Sequence, residues 1–174
     1  MKLGFDFPAN PRKTFLYELE ENWYLPLLAQ RKGLPLQATK RSNFGEYSMA
    51  VNYLTSVLEE AAAVNRVAVY NIDHMAQLLF SGSDAPALLD RALGGKMSDM
   101  KVGACKYTLL LNERGGVQDD MIVMRLSDTE YIAVINAGHD ITASKDGKEI
   151  IADIDRIMSV KRDGEDVVAK DISD

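Results

Sequence analysis

A single cysteine, Cys105, and only two histidines, His74 and His139, occur in 174 residues. One thiol cannot close an internal disulfide, which suits a reducing compartment and leaves the fold to packing and hydrogen bonds. Lys106 beside Cys105 favours a thiolate, but no His partner accompanies it, so a buried or half-buried apolar role is expected. Neither histidine has a His, Cys or carboxylate partner at the sequence spacing of a metal site, so no metal is expected. A basic excess is also missing: the net charge is −6, which argues against a nucleic-acid surface. No apolar run approaches the roughly 20 residues that span a bilayer. The opening Met1-Lys2-Leu3-Gly4-Phe5-Asp6-Phe7-Pro8 carries no signal-peptide apolar region. The expectation is a cytoplasmic chain bound to neither membrane nor nucleic acid. Internal repeats, low-complexity tracts and the glycine spacings of Walker or Rossmann loops are absent as well.

What is present suits a soluble core-forming chain, with 47% hydrophobic and 26% charged residues. The length favours one domain with an extension. Pro8, Pro11, Pro26 and Pro35 break up long helices in residues 1–43, leaving a short helix over 14–23 and loops, with Lys40-Arg41-Ser42-Asn43 as one of them. The domain proper is expected over residues 44–174. Ser56 and Glu59 are spaced as a capping box for a helix with Leu58, Ala61, Ala62 and Val64 on its apolar side. Residues 67–80 then read as a strand, or two around a bend. Asp84 is a plausible N-cap for a helix bearing Leu88, Leu89, Ala92 and Leu93, with Gly94-Gly95 as its stop. Three short β-branched and aromatic runs follow, at 107–111, 121–126 and 131–135, joined by Asn112-Glu113-Arg114-Gly115-Gly116 and by Ser127-Asp128-Thr129. A helix over 148–158 is predicted from Asp146 and Glu149 at capping-box spacing and from Ile150, Ile151, Ile154, Ile157 and Met158 at helical period. Residues 67–172 thus read as β-α-β-β-(β)-α-β. The fold class is α+β, a ferredoxin-like split βαβ layer with an antiparallel sheet and helices on one face.

Gly115-Gly116 serves a tight turn. Asp119 and Asp120, adjacent on a strand, point to opposite faces and do not converge as paired acids; a turn-to-strand junction with side-chain bonds to the backbone is the simpler role. His74 reads as a packed strand histidine rather than a general base.

The wording of these segments carries more than their pattern. Leu111-Asn112-Glu113-Arg114-Gly115-Gly116-Val117-Gln118-Asp119-Asp120-Met121-Ile122-Val123, followed by Tyr131-Ile132-Ala133-Val134-Ile135-Asn136-Ala137, resembles the aminomethyltransferase (T-protein) family of the glycine cleavage system. Phe44 to Tyr53, Ala63 to Met75 with its ending Tyr70-Asn71-Ile72-Asp73-His74-Met75, Ser81-Gly82-Ser83-Asp84-Ala85 and the closing Val167-Val168-Ala169-Lys170-Asp171-Ile172-Ser173-Asp174 are similar to further family segments. The resemblance covers residues 40–174 and corresponds to the first half of a T-protein fold. It implies transfer of an aminomethyl or methyl group to tetrahydrofolate from a lipoyl carrier or a small-molecule donor. It also implies that Met49, Asn112 and Asn136 line the folate cavity, where Met packs on rings and Asn donates and accepts. Loop packing and turn capping are equally ordinary roles for all three. The family's catalytic Asp position falls on Lys96, with Asp99 three residues on. Lys96 suits an anionic partner group or a solvated loop. The remaining half of the cavity is then expected from a separately encoded C-terminal half, or a homodimer closes the exposed face. The alternative is a non-catalytic folate- or protein-binding module that has lost the chemistry.

Overall fold

The computed structural model describes residues 11–33, 40–45, 47–52, 65, 71–139, 143–145 and 148–173. The chain divides into two compact units, residues 1–74 and 75–174. The helix expected over 56–64 lies outside the described residues. No described helix is long and apolar enough to cross a membrane.

In the first unit, β1 (Arg12–Lys13) pairs in parallel with β3 (Tyr47–Asn52), which pairs antiparallel with β2 (Lys40–Phe44). The Lys40–Asn43 cluster is therefore strand, not loop. Propensity is overridden here by side-chain pairing. Arg41 donates to Glu21 at 2.7 and 2.8 Å and to Glu20 at 3.0 Å, and stacks 4.1 Å over the Tyr17 ring. The helix also exceeds the short one expected. It runs from α1 (Tyr17–Leu19) through a π turn (Glu20–Tyr24) into α2 (Leu25–Lys32), ending at Gly33 with φ 63°. Pro26 sits in the opening turn of α2, where its missing N–H is tolerated, and the π turn ahead of it absorbs the register change.

Residues 71–75 are not strand, so His74 is a loop residue. Asn71 Oδ1 accepts from the Asp73 N–H at 3.0 Å, and Asp73 Oδ2 accepts from the Phe15 N–H at 2.7 Å. These bonds satisfy the backbone locally and delay the strand. The partly buried His74 ring lies 5.8 Å from that of Phe44, and burial lowers its pKa against the opposing charge of Asp73.

The second unit is a five-stranded, wholly antiparallel sheet: β4 (Ala76–Ser81), β5 (Cys105–Leu111), β6 (Val117–Arg125), β7 (Glu130–Ile135) and β10 (Val168–Asp171), in the order β10-β4-β7-β6-β5. α3 (Ala85–Ala92) and α4 (Asp153–Met158) pack together. The α+β, antiparallel, ferredoxin-like reading holds. The additional strand makes the central β4·β7 pair antiparallel. Alternation decides the faces: Leu78, Phe80, Met121, Val123, Tyr131 and Ala133 point into one core with Leu88, Leu89 and Ile157. The other face carries Tyr107 and Ile122, which pair directly and are 64% and 44% exposed.

Two local expectations fail. β9 (Lys148–Ile150) pairs antiparallel with β8 (Ala143–Lys145), so only residues 153–158 of the expected helix are helical. An Asp-Gly dipeptide separates the two strands in the sequence, a hairpin signal that overrides the apolar periodicity. Cys105 is exposed, because it opens the sheet's edge strand. Asp84 does occupy the position ahead of α3, but makes no side-chain bond to that helix. Instead its Oδ2 accepts from the Asp166 N–H at 2.8 Å.

Candidate functional site

One cluster of polar groups in the second unit lies around the β5–β6 turn and the residues just past β7. The β5–β6 turn is built by Asn112, whose Oδ1 accepts from the N–H groups of Arg114 and Gly116, both at 3.0 Å. Gly115, at φ 77°, supplies the left-handed residue that such a turn needs. Asn112 thus does the work of a turn cap. α4 is tied to this turn through Arg156, which donates to the Leu111 carbonyl at 3.2 Å and to Glu113.

On β6, strand alternation buries Asp119, at 5% exposure, and turns Asp120 to the opposite face. There the Tyr107 hydroxyl donates to Asp120 at 2.8 Å. Asn136, just past β7, reaches the edge between them. Its Nδ2 donates to Asp119 Oδ1 at 2.8 Å, to the Asp120 carbonyl at 3.0 Å and to Asp120 Oδ1 at 3.3 Å, while its N–H donates to Asp119 Oδ2 at 3.1 Å. Three contacts fix the Asn136 side-chain amide, with its Nδ2 toward the carboxylates, and a fourth holds its backbone N–H.

His139 and Asp153 complete the cluster. His139 Nδ1 lies 3.8 Å from Asp119 Oδ2 and 3.5 Å from Asp153 Oδ1. The Asp153 side chain is wholly buried, and its Oδ1 accepts from Gln118 Nε2 at 2.8 Å. Burial first, then the neighbouring Asp153 carboxyl, raises the Asp119 pKa; Asn136 and His139 oppose this incompletely. The expectation that His139 lacks carboxylate partners therefore fails. The partners come from β6 and α4, far away in sequence, and spacing along the chain carries no sign of them.

The other expected site residues are placed differently. Lys96 follows α3 in a loop pinned by Asp90, which accepts from the Met97 N–H at 2.5 Å, the Ser98 N–H at 2.9 Å and the Ser98 hydroxyl at 2.5 Å. Lys96 and Asp99 face solvent as a 3.9 Å pair, 70% and 69% exposed. Met49 is buried on β3 of the first unit.

Comparison with known proteins is specific. The model of the family described as GCVT N-terminal domain matches residues 36–170. An aminomethyltransferase of Saccharopolyspora erythraea is 33% identical over 144 residues, 83% of this chain and 35% of that protein. That of Thermus thermophilus is 41% identical over 98 residues, 56% of this chain and 28% of that protein. The crystal structure of glycine cleavage system aminomethyltransferase T from Bartonella henselae superposes with a TM-score of 0.67 at 25% identity, covering 93% of this chain and 38% of that one. The chain thus spans about a third of the length of these relatives.

Proposed function

Because the chain belongs to the GCVT N-terminal domain family, we propose that it takes part in one-carbon transfer to tetrahydrofolate in the cytoplasm, with a partner polypeptide supplying the rest of the fold. The observation that carries this reading is the family match over residues 36–170, which includes the segment holding Asn136. Of the three expected folate contacts, Asn136 fits best. Its amide is held in one orientation before any ligand arrives, and a preorganised polar group costs less on binding. Asn112 has its Oδ1 committed to its own turn. Folate, when bound, would supply the amine that accepts the one-carbon unit. The protein's part is to position the reactants and exclude water. The outer sheet face supports a partner: Tyr107 and Ile122 are exposed there, beside the half-buried Met124, Ile132 and Val134.

A non-catalytic binding module is the second reading, and one observation favours it. Lys96, at the acid position, is exposed and carries the wrong charge to stabilise a developing cation. An affinity pull-down from native cells, with mass spectrometry and then calorimetry with tetrahydrofolate on whatever is recovered, separates the readings. A stoichiometric partner resembling the remaining aminomethyltransferase fold, with transfer activity in the complex, supports the proposal. Folate binding without transfer points to the module. Recovery of the chain alone, monomeric or dimeric and without folate binding, sinks the proposal.

A further inference from the structure

We propose that Asp119, His139 and Asp153 bind one divalent first-row transition metal of the zinc class. One donor atom from each residue lies within 4.8 Å of the others. The His139 Nδ1 distances of 3.5 and 3.8 Å to the two carboxylates compare with roughly 3.4 Å between donors on a tetrahedral ion with bonds near 2.1 Å. A small contraction around an ion closes that difference.

Two observations besides the donor spacing support a cation. Asp153 is wholly buried, yet its Oδ2 has no hydrogen-bond partner among the described residues. A buried acceptor left open in this way is costly unless something binds it. Apart from His139, the two buried carboxylates have no cationic partner among the described residues. Among the described residues neither forms an ion pair with Lys or Arg, and the nearby Arg156 is committed to Glu113 and the Leu111 carbonyl. A dication beside a neutral imidazole would balance both.

The outer contacts fit the same assignment, since ligating carboxylates are themselves usually hydrogen-bonded. Gln118 donates to Asp153, and Asn136 donates to Asp119. An imidazole nitrogen with two carboxylates selects zinc, manganese, cobalt or nickel over calcium or magnesium, which take oxygen ligands. Such an ion would tie the residues after β7 to the first turn of α4 and hold Asp119 beneath Asn136. The proposal rests on these residues alone and does not depend on the folate reading.

The test uses the untagged full chain, stripped by chelator and titrated with Zn²⁺ by calorimetry and with Co²⁺ by visible absorption. The expected result is one equivalent bound, cobalt bands between roughly 500 and 650 nm, and a rise of several degrees in Tm, as ligand linkage requires. His139→Asn, at a partly exposed position, should remain folded by circular dichroism and lose the tight equivalent. Asp153→Asn should lose it too; if that variant fails to fold, the histidine variant decides. Absence of a stoichiometric site at tens of micromolar Zn²⁺ overturns the proposal. So does unchanged binding in His139→Asn, which would place the ion elsewhere, or equal competition by Mg²⁺.

Discussion

Removing the Asp90 carboxylate should free the loop that carries Lys96, and the cost can be worked from the bonds. One carboxylate accepts two backbone N–H groups and one hydroxyl, at 2.5 to 2.9 Å. Hydrogen bonds to a charged group contribute about 1.5–3 kcal/mol each. These three share one acceptor and so do not add. Asp90 is also only partly buried, so water recovers part of the loss. Asp90→Ala is therefore expected to cost about 2–4 kcal/mol. Asp90→Asn keeps one carbonyl oxygen for the two N–H groups and should cost about half as much. The pH dependence supplies an independent check. Burial pushes the Asp90 pKa up, but the Ser98 hydroxyl and N–H, the Met97 N–H and the Lys96 charge together hold it below its ordinary value. The unfolded chain thus binds the proton first as pH falls. The stabilisation is complete above the unfolded pKa of about 3.9 and is lost as pH drops through the lower folded value. Urea denaturation followed by circular dichroism at pH 7, 5 and 3.5 reads both effects. The gap between wild type and Asp90→Ala should be equal at pH 7 and 5 and shrink at 3.5. A gap below about 0.5 kcal/mol at pH 7, the scatter of ordinary surface substitutions, would refute the reasoning, as would one that widens with acid.

Three further substitutions test other parts of the structure. Gly82→Ala places a Cβ 2.1 Å from the Asp166 carbonyl oxygen at φ +134°; it should cost more than about 3 kcal/mol, and a soluble variant with wild-type Tm would contradict the close approach. Tyr131→Phe removes a buried hydroxyl that has no partner among the described residues, so thermal denaturation should show a change between zero and a gain of about 1 kcal/mol; a clear loss would mean that the hydroxyl is bonded. Asn112→Ala should cost about 1 kcal/mol and speed exchange of the Gly116 amide, whereas Asn112→Asp keeps the Oδ1 acceptor and should preserve both; equal damage from the two would argue against the capping role.

Much of the second unit is legible in the amino-acid sequence, for a physical reason. β5, β6 and β7 are short, β-branched and separated by Asn-, Gly- and Asp-rich breaks, so period and punctuation agree. Conflicts between local and tertiary signals account for the misses. Ile150 and Ile151 extend the spacing of Ile154, Ile157 and Met158, and only the Asp146-Gly147 dipeptide argues for a hairpin instead. The polar Lys40–Phe44 strand looks like a loop because the acids that pair with Arg41, Glu20 and Glu21, lie on a helix some 20 residues earlier. Asp119, His139 and Asp153 belong to three separate elements. A reading by spacing along the chain meets acids on two distant segments and a stray histidine, while the fold brings one donor atom of each within 4.8 Å of the others.

The same fold explains why the fate of the acid position bears on function. Leu93, just past α3, forms an isolated bridge with Leu110, and Leu110 pairs with Asp119, whose carboxylate holds Asn136. The loop that leads to Lys96 and the amide best placed for folate therefore begin from one row across the sheet. Lys96 itself faces solvent, and its pairing with the exposed Asp99 is of the kind worth about 0–1 kcal/mol. Neither side chain can impose a strong field on a buried reacting centre, because water screens both. Stabilisation of a developing cation would then fall to a carboxylate other than these two, whereas positioning by Asn136 would not depend on them. On the proposed folate reading, binding and chemistry are separable by experiment: calorimetry should show weaker tetrahydrofolate binding in Asn136→Ala with or without a partner, while transfer should appear only in the complex; unchanged binding in that variant would argue against Asn136 as a folate contact.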